Sequence, residues 1–501
     1  MNEILLISIF CSLFIFIYAL VLSKSKKVFY VSLCLTVIYL FLTEFYLIAN
    51  KFTGDGITEA VFFHIFYGLN GIPWRSFTYE IALIILLVTA NLLLIPVSKK
   101  FYFRQKRKQF FPAQSFVFEL TLVLGLSVFS VGAHPATLQS VSIISDFLKS
   151  SDNEIFNAAL QKKLPAPDPE KKKRSLVYIY VESFERTFLN ESSFPKLTPH
   201  VNLLEKTSLS FHGIGQPPLT NWTTAAMVAS QCGIPLATLR SNPSNSSDRQ
   251  NLSVGDACLG DLLSKNNYNL SYMGGADINF AGKGSFYNSH GFSDVVGLQY
   301  FQKKFGKDIP LSEWGVYDDM LLDDALEKFK NLSSRDEPFA MVVLTLDTHP
   351  SSGHVTPRCA SDSMKYADGK NKMLNAVKCA DFLIYEFIKN LEAENKQDAI
   401  IVLASDHLQI ESDAIDLLNA ASVPRRNLLM VRGNGVPIKV IKRTATPLDI
   451  GPTILGLLGW DAESLALGKN LLLPEKNLAE ELGEANFFEK LKHWRLTLWK
   501  T

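Results

Sequence analysis

The chain of 501 residues is 47% hydrophobic and 20% charged, and its 50 basic residues are balanced by 49 acidic ones. A net charge of +1 gives no overall positive field strong enough to suggest nucleic-acid binding. The apolar fraction is high for a soluble enzyme and low for a protein that lies wholly in a bilayer, so we expect a membrane part and a soluble part.

The apolar residues are concentrated at the start of the chain, in four segments that predict membrane-spanning helices. Each segment approaches the roughly 20 residues that an α-helix needs to cross a bilayer. The four segments are Ile4 to Leu22, Val28 to Ile48, Ile81 to Val97 and Phe116 to Val131. Together they predict a four-helix transmembrane anchor over residues 1–132.

Basic residues follow the first and third of these segments, at positions 24–27 and 99–108. Because loops rich in lysine and arginine stay in the cytoplasm, both loops are predicted to be cytoplasmic. Four spans then place the rest of the chain on the opposite side, which is the periplasm in a Gram-negative cell. We therefore expect a multi-pass protein of the inner membrane with a periplasmic soluble domain.

A juxtamembrane segment and linker are predicted over residues 133–174, because the stretch Leu164–Pro169 has three prolines, a composition typical of a stiff linker. Over residues 175–501, apolar β-rich runs alternate with helical patterns, which indicates an α/β domain. The runs predicted as buried strands are Leu176 to Val181, Phe339 to Leu346, Ile400 to Ala404 and Leu428 to Val431.

Side chains that suit metal or phosphate chemistry follow three of these predicted strands. Glu182 follows the first, His349 the second, and Asp406 with His407 the third. Ligands of open α/β sheets bind beyond the carboxyl ends of the strands, and carboxylates with an imidazole are a plausible set of metal ligands. For each residue taken singly, helix capping or an ordinary loop role is the alternative.

A cluster of hydroxyl groups, Thr220, Thr223 and Thr224, opens a predicted helix that follows two prolines. These threonines either cap the helix or supply a nucleophile. The two roles are compatible, because the N-terminus of a helix also stabilises a phosphate group.

Four cysteines fall in the predicted exported domain and allow three disulfide pairings. Proximity along the chain favours Cys232 with Cys258 and Cys359 with Cys379, each closing a modest loop in an oxidising compartment. A zinc cluster is the weaker alternative, since neither pair has the close spacing of a structural zinc site.

Several longer stretches resemble the phosphoglycerol transferase branch of the alkaline-phosphatase/sulfatase superfamily, and they extend over nearly the whole chain. The stretches are Gly54 to Ile57, Leu176 to Thr187, Ala226 to Pro235, Phe280 to Lys283, Ser289 to Phe292, Trp314 to Asp319 and Ser405 to Leu408. The resemblance implies a central mixed β-sheet flanked by helices, following the transmembrane helices.

The resemblance also implies a site for one divalent metal, for which Mn2+ is most suitable and Zn2+ or Mg2+ are alternatives. The implied ligands are Glu182, Asp406, His407 and the hydroxyl of Thr220. Thr220 would also be the nucleophile, activated by the metal. Thr223 is the alternative nucleophile, because Leu219 stands where the family pattern has a glycine before the threonine.

The substrate-binding residues that the resemblance implies are Lys283, His349 and Trp314, with His349 also serving catalysis. The implied reaction transfers phosphoglycerol from phosphatidylglycerol to a periplasmic glucan through a phosphoglyceryl-threonine, and it releases diacylglycerol. A phosphoethanolamine transferase acting on lipid A or a glycan is the alternative enzyme. A non-catalytic membrane binding protein is the alternative of another class, although such a protein would be expected to lack several of the ligands.

Overall fold

The computed structural model describes residues 2–23, 25–66, 71–72, 74–105, 116–148, 164–236 and 258–498. The chain divides into two compact units, Met1–Val61 with Pro73–Leu148, and Phe62–Ile72 with Lys149–Thr501. The second unit therefore includes a short segment from the early part of the chain. Some basic residues of the predicted cytoplasmic loops, at 24 and 106–108, and residues 149–163 of the predicted linker lie outside the described residues.

The first unit is built from apolar helices. They are α1 (Asn2–Ile17), α2 (Lys26–Thr53), the start of α3 (Glu59–Phe66), α4 (Thr78–Gln105), α5 (Phe116–Gly132) and α6 (Pro135–Leu148). Among the described residues, three helices are long and apolar enough to cross a membrane, and α5 and α6, bent by 64° at the break between them, make a fourth if the pair is one span. The first three predicted spans fall on those three helices, and the fourth falls on α5.

Two acidic residues within these apolar helices are hydrogen-bonded to side chains of the same unit. Ser23 Oγ donates to Glu119 Oε2 at 2.6 Å, and Asn91 Nδ2 donates to Glu44 Oε1 at 2.6 Å. Because an unpartnered carboxyl group in apolar surroundings is costly, these bonds explain how the unit tolerates the two acids.

The strands all belong to the second unit. They are β1 (Ala166–Pro167), β2 (Leu176–Val181), β3 (Leu209–Phe211), β4 (Asn269–Gly274), β5 (Asp294–Val296), β6 (Phe339–Leu344), β7 (Ile400–Ser405), β8 (Leu429–Arg432), β9 (Lys439–Ile441), β10 (Trp460–Asp461), β11 (Ser464–Leu465) and β12 (Gly468–Lys469). Eight of them form one mixed sheet in the order β5-β4-β6-β2-β7-β8-β3-β9. In this sheet β8 is antiparallel to its neighbours, and the other pairs are parallel.

Helices flank this sheet. They are α7 (Pro199–Glu205), α8 (Thr223–Cys232), α9 (Leu259–Lys265), α10 (Lys283–Ser289), α11 (Leu298–Phe305), α12 (Asp318–Ser333), α13 (Lys372–Ala393), α14 (Ile415–Asn419), α15 (Ile450–Leu457), α16 (Leu478–Leu482) and α17 (Glu484–Leu498). Helices α7 and α12 both pack against α13. The prediction of a mixed sheet flanked by helices is thereby confirmed.

The four predicted strands are present as β2, β6, β7 and β8, with small shifts at their ends. All residues of β2, β6 and β7 are buried, which is why they are continuous apolar runs rather than alternating ones. The shorter β3, β5 and β9 and the more polar β4 were not predicted, because their sequences carry no such run.

The predicted linker ends in ordered structure. Its residues Ala166 and Pro167, which form β1, pair antiparallel with β10 of the second unit.

Two disulfides lie in the second unit. They join the cysteines that are near each other in sequence, Cys232 to Cys258 and Cys359 to Cys379.

Candidate metal centre and active site

The register of the central strands brings three separate parts of the chain to one edge of the sheet. Val181 of β2 lies opposite Ser405 of β7, and Tyr180 lies opposite Leu344 of β6. The residues that follow these parallel strands therefore emerge side by side, where open α/β sheets carry their sites.

Glu182, Asp406 and His407 come together at this edge. Ligand atoms of the three side chains all lie within 4.8 Å of one another, and all three residues are buried. His407 Nε2 lies 3.4 Å from both Glu182 Oε1 and Asp406 Oδ2. The sheet therefore gathers three of the four residues that the sequence analysis named as metal ligands.

Hydrogen bonds engage one carboxylate oxygen of Asp406 and one ring nitrogen of His407. The other oxygen and the other nitrogen are left available to bind a metal within this group. Asp406 Oδ1 accepts from the backbone N–H groups of Ser183 and His407, both at 2.8 Å, whereas its buried Oδ2 has no hydrogen-bond partner. His407 Nδ1 lies 2.8 Å from the carbonyl oxygen of Leu408, which selects the tautomer with a proton on Nδ1 and a lone pair on Nε2. An orphaned carboxylate oxygen beside an imidazole lone pair fits a divalent cation.

The charges in the group indicate the same fit. Burial, and then the negative charge of Glu182, raise the pKa of Asp406 to about 6. Burial alone would lower the pKa of His407, but the charges of Asp406 and Glu182 raise it. Two carboxylates held in a buried space repel each other, and a bound cation removes that cost.

Ser183 orients Glu182 from a strained backbone conformation. Its hydroxyl donates to Glu182 Oε1 at 2.8 Å, and its φ of 52° lies in the left-handed region that non-glycine residues rarely adopt. The next carboxylate, Glu185, is fully buried and binds Arg425 and the backbone N–H of Gln409, which braces the loop after Asp406 and His407. Both residues lie in the matched stretch after β2, which was the only sequence signal for them.

The two candidate threonines occupy different surroundings. Thr220 is fully buried, and its hydroxyl donates to the carbonyl oxygen of Pro217 at 2.8 Å. Thr223, the first residue of α8, places its Oγ1 3.4 Å from Glu182 Oε2. Of the two hydroxyl groups, that of Thr223 is therefore the one in contact with the Glu182–Asp406–His407 group.

Lys283 is the first residue of α10. Thr224 Oγ1 donates to the carbonyl oxygen of Ala281 at 2.8 Å, which ties α8 to the turn that carries the lysine. Burial lowers the pKa of Lys283 to about 8, although the charges of Glu182, Asp406 and Asp277 act in the opposite direction. The predicted phosphate-binding lysine is thus an internal cation close to the carboxylates.

His349 and Trp314 form an aromatic pair beside the group, with ring centroids 4.0 Å apart. Burial lowers the pKa of His349 to about 3, assisted by His407 and Lys283, so the imidazole is neutral at pH 7. Its Nδ1 lies 2.6 Å from the carbonyl oxygen of Pro350, which leaves the lone pair on Nε2.

A buried carboxyl pair, Asp318 and Asp347, ties the start of α12 to the loop after β6 that carries His349. Asp318 accepts from the backbone N–H groups of Leu346 and Asp347, at 2.7 and 3.0 Å, and Asp347 accepts from the N–H of Asp318 at 2.9 Å. Burial raises the pKa of both groups, that of Asp318 to about 7. The sequence offered no signal for this bridge except the position of Asp318 in the matched stretch.

Family models match two parts of the chain. The model described as "Sulfatase" matches residues 174–460, and the model described as "Phosphoglycerol transferase I, N-terminal domain" matches residues 1–152. Phosphoglycerol transferase I of Xanthomonas campestris pv. campestris is 33% identical over 461 residues, which are 90% of this chain and 63% of the relative. The chain spans less than two thirds of the length of the first curated relatives that it matches.

Solved structures share the fold. The lipooligosaccharide phosphoethanolamine transferase A of Neisseria meningitidis has a TM-score of 0.53 and 13% identity, covering 91% of this chain and 88% of its own. The lipoteichoic acid synthase LtaP of Listeria monocytogenes has a TM-score of 0.52 and 17% identity, covering 72% and 97%. At such identities the likeness concerns the fold alone. The match of the family model to more than half of the residues, together with this fold, shows that the chain belongs to the sulfatase family.

Proposed function

We propose that the chain is a metal-dependent phosphoglycerol transferase, which moves phosphoglycerol from phosphatidylglycerol to a periplasmic glucan and releases diacylglycerol. The observation that carries the proposal is a threonine hydroxyl at a helix N-terminus beside a buried Glu–Asp–His group. Similarity to phosphoglycerol transferase I over 90% of the chain supports the choice of the transferred group.

Thr223 is the nucleophile in this proposal, in place of the first candidate, Thr220. Its hydroxyl lies next to Glu182, and it begins α8, a helix of 10 residues whose N-terminal N–H groups favour an anion. The hydroxyl of Thr220 is engaged with Pro217. Thr220 then serves to shape the turn that leads into the helix.

The metal ligands are Glu182, Asp406, His407 and the threonine hydroxyl. Three oxygen donors and one imidazole suit Mn2+, and they are also compatible with Zn2+ or Mg2+. Such a cation would lower the pKa of the threonine hydroxyl and offset charge on the phosphate oxygens.

In the first half-reaction, Thr223 Oγ forms a bond to phosphorus while the bond from phosphorus to the diacylglycerol oxygen breaks. The threonine loses one proton and the diacylglycerol oxygen gains one. In the second half-reaction a glucan hydroxyl forms the new bond, loses its proton, and Thr223 leaves with a proton restored. Lys283 stabilises the phosphate charge, the neutral His349 orients the glucan hydroxyl by accepting its hydrogen bond on Nε2 while the hydroxyl proton passes to solvent, and Trp314 holds His349 in place.

The proposal includes the setting of the enzyme. Residues 1–132 would form a four-helix anchor in the inner membrane, 133–174 a juxtamembrane segment and linker, and 175–501 a periplasmic catalytic domain. The long apolar helices support an anchor, and the bent α5–α6 pair is consistent with a fourth span. The two disulfides support an oxidising compartment.

The test is release of labelled diacylglycerol from phosphatidylglycerol by the purified full chain, with Mn2+ and a β-glucan. We expect Thr223→Val to lower the rate by at least about a thousandfold, since it removes the nucleophile without changing side-chain volume much. The matched variant Thr220→Val should lose less than about tenfold, because it removes one hydrogen bond.

A second measurement follows the covalent intermediate. Without acceptor, a peptide containing Thr223 should carry a phosphoglycerol mass, as detected by mass spectrometry. An adduct on Thr220 would overturn the choice of nucleophile. Turnover of phosphatidylethanolamine alone would assign the chain to the phosphoethanolamine transferases, and turnover of neither lipid would favour the non-catalytic alternative.

A further inference from the structure

A short segment from the early part of the chain, Phe62–Ile72, belongs to the catalytic unit. Phe63 within it is fully buried, with its ring 6.3 Å from that of Trp222, the residue just before Thr223. Gly71 has a φ of +78°, and a Cβ there would lie 2.8 Å from the Asp277 carboxylate. Both described ends of the segment are therefore fitted closely to elements of the site.

The segment places His64 in the ring cluster of the active site. The His64 imidazole is stacked on Phe280, with centroids 5.9 Å apart and planes 19° apart. The Nζ of Lys283 lies 4.6 Å from the centroid of the same phenyl ring, and Trp314 lies 5.8 Å from it. One phenyl ring thus connects His64 to the phosphate-binding lysine and to the aromatic pair.

These rings are partly accessible, as substrate-contacting groups must be. His64, Phe280, Trp314 and His349 are each half-buried, whereas Lys283 among them is almost fully buried. Partly exposed aromatic and imidazole side chains that are connected through Phe280 to an internal cation are suited to a polar, anionic group of modest size.

His64 contributes hydrogen bonds rather than charge to this surface. Burial, and then the positive charge of Lys283, lower its pKa to about 4. At pH 7 the imidazole is therefore neutral, with one N–H donor and one lone pair. Such a group suits alcohol hydroxyls, which both donate and accept, better than it suits a phosphate oxygen, which only accepts.

We propose that His64 recognises the hydroxyl groups of the donor's glycerol head group and is a specificity-determining residue of the transferase. The inference rests on the proposed function. The head group is the relevant part of the donor because it stays attached to phosphorus in both half-reactions. Diacylglycerol leaves in the first half-reaction, and the acceptor enters in the second. The head-group hydroxyls therefore remain near Lys283, one ring away from His64.

The experiment compares two lipid donors in the full chain with Mn2+, phosphatidylglycerol and phosphatidylmethanol, which lacks the head-group hydroxyls. The variants are His64→Phe, which keeps an aromatic ring against Phe280 but cannot form hydrogen bonds, and His64→Gln, which keeps a donor and an acceptor. The control is Ile65→Ala, the neighbouring residue of α3, whose side chain is exposed.

We expect His64→Phe to lower kcat/KM for phosphatidylglycerol by about tenfold, as for loss of hydrogen bonds to a substrate hydroxyl. Its kcat/KM for phosphatidylmethanol should stay within about twofold of the wild type. His64→Gln should recover most of the preference for phosphatidylglycerol, and Ile65→Ala should behave as the wild type.

Equal losses of His64→Phe on both donors would overturn the inference, because they would show a role in folding alone. An unchanged preference would overturn it as well. These results differ from failure of the proposed function, in which the wild type itself releases no diacylglycerol from phosphatidylglycerol.

Discussion

At the scale of single residues, the site depends on atoms that are left without partners as much as on those that are paired. Asp406 has one oxygen held by two backbone N–H groups and one without a partner, so the backbone orients the carboxylate and leaves it available to a cation.

Leu219, where the family pattern has a glycine, has a φ of 70°, a value that glycine adopts freely. A leucine there takes the left-handed backbone that a glycine would provide.

The depressed pKa of Lys283 predicts a loss of activity at alkaline pH. Burial lowers this pKa to about 8, so the ammonium, which binds phosphate in the proposed function, is lost as pH rises through that value. We expect kcat/KM to fall about tenfold per pH unit above it. Lys283→Arg should keep its charge and abolish this alkaline limb, measured as diacylglycerol release between pH 6 and 10.

Activity is expected to fall as pH rises because the protonated lysine, which is the active form, is present below the pKa and absent above it. Lys283→Met, which has no charge at any pH, is the control and should be slow throughout the range. An alkaline limb that persists in Lys283→Arg would assign the titration to another group.

At the scale of elements, α8 connects the candidate active site to a disulfide bond. Its first residue, Thr223, contacts Glu182, and its last residue, Cys232, is bonded to Cys258. His290, bound to Asp261 at 2.7 Å, lies against the Cys258 sulfur at 3.7 Å. The helix is thus fixed at one end by a disulfide and carries the proposed nucleophile at the other.

Replacing Cys232 and Cys258 together by serine should therefore cost both stability and activity. The bridge spans 26 residues, and loss of such a loop constraint costs roughly 3 kcal/mol. The paired replacement of Cys359 and Cys379, which spans 20 residues, is the matched control. Denaturant unfolding should give similar losses for both, whereas diacylglycerol release at a temperature where both are folded should fall more for the first. Equal activity would refute the role of the crosslink in holding α8.

At the scale of the whole molecule, the catalytic unit is discontinuous in sequence. It contains residues 62–72 as well as the chain after residue 148. A soluble fragment that begins after the apolar helices lacks the Phe63 ring beside Trp222 and the His64 ring beside Phe280. The proposed metal ligands and Thr223 all lie within such a fragment.

We therefore predict that a fragment of residues 164–501 binds Mn2+ but transfers poorly. Its affinity for Mn2+, measured by calorimetry, should be within about threefold of the full chain, because no ligand is lost. Its kcat/KM for a short-chain, water-soluble phosphatidylglycerol should fall about tenfold or more, since the head-group contacts are missing. The soluble donor removes the need for a membrane anchor from the comparison. A fragment as active as the full chain would contradict this account.

The features that the sequence alone determined are local, and those that it left open depend on residues far apart in the chain. The two-part organisation, the strands β2, β6 and β7 and the position of Glu182, Asp406 and His407 just after strands were predictable, because an apolar run and the polar residue at its end are local features. The contact of Thr223 with Glu182, the Asp318–Asp347 bridge and the contact of His64 with Phe280 were decided by the tertiary structure alone. Each depends on contacts between residues far apart in the chain, such as the 41 positions between Glu182 and Thr223, which no local pattern records.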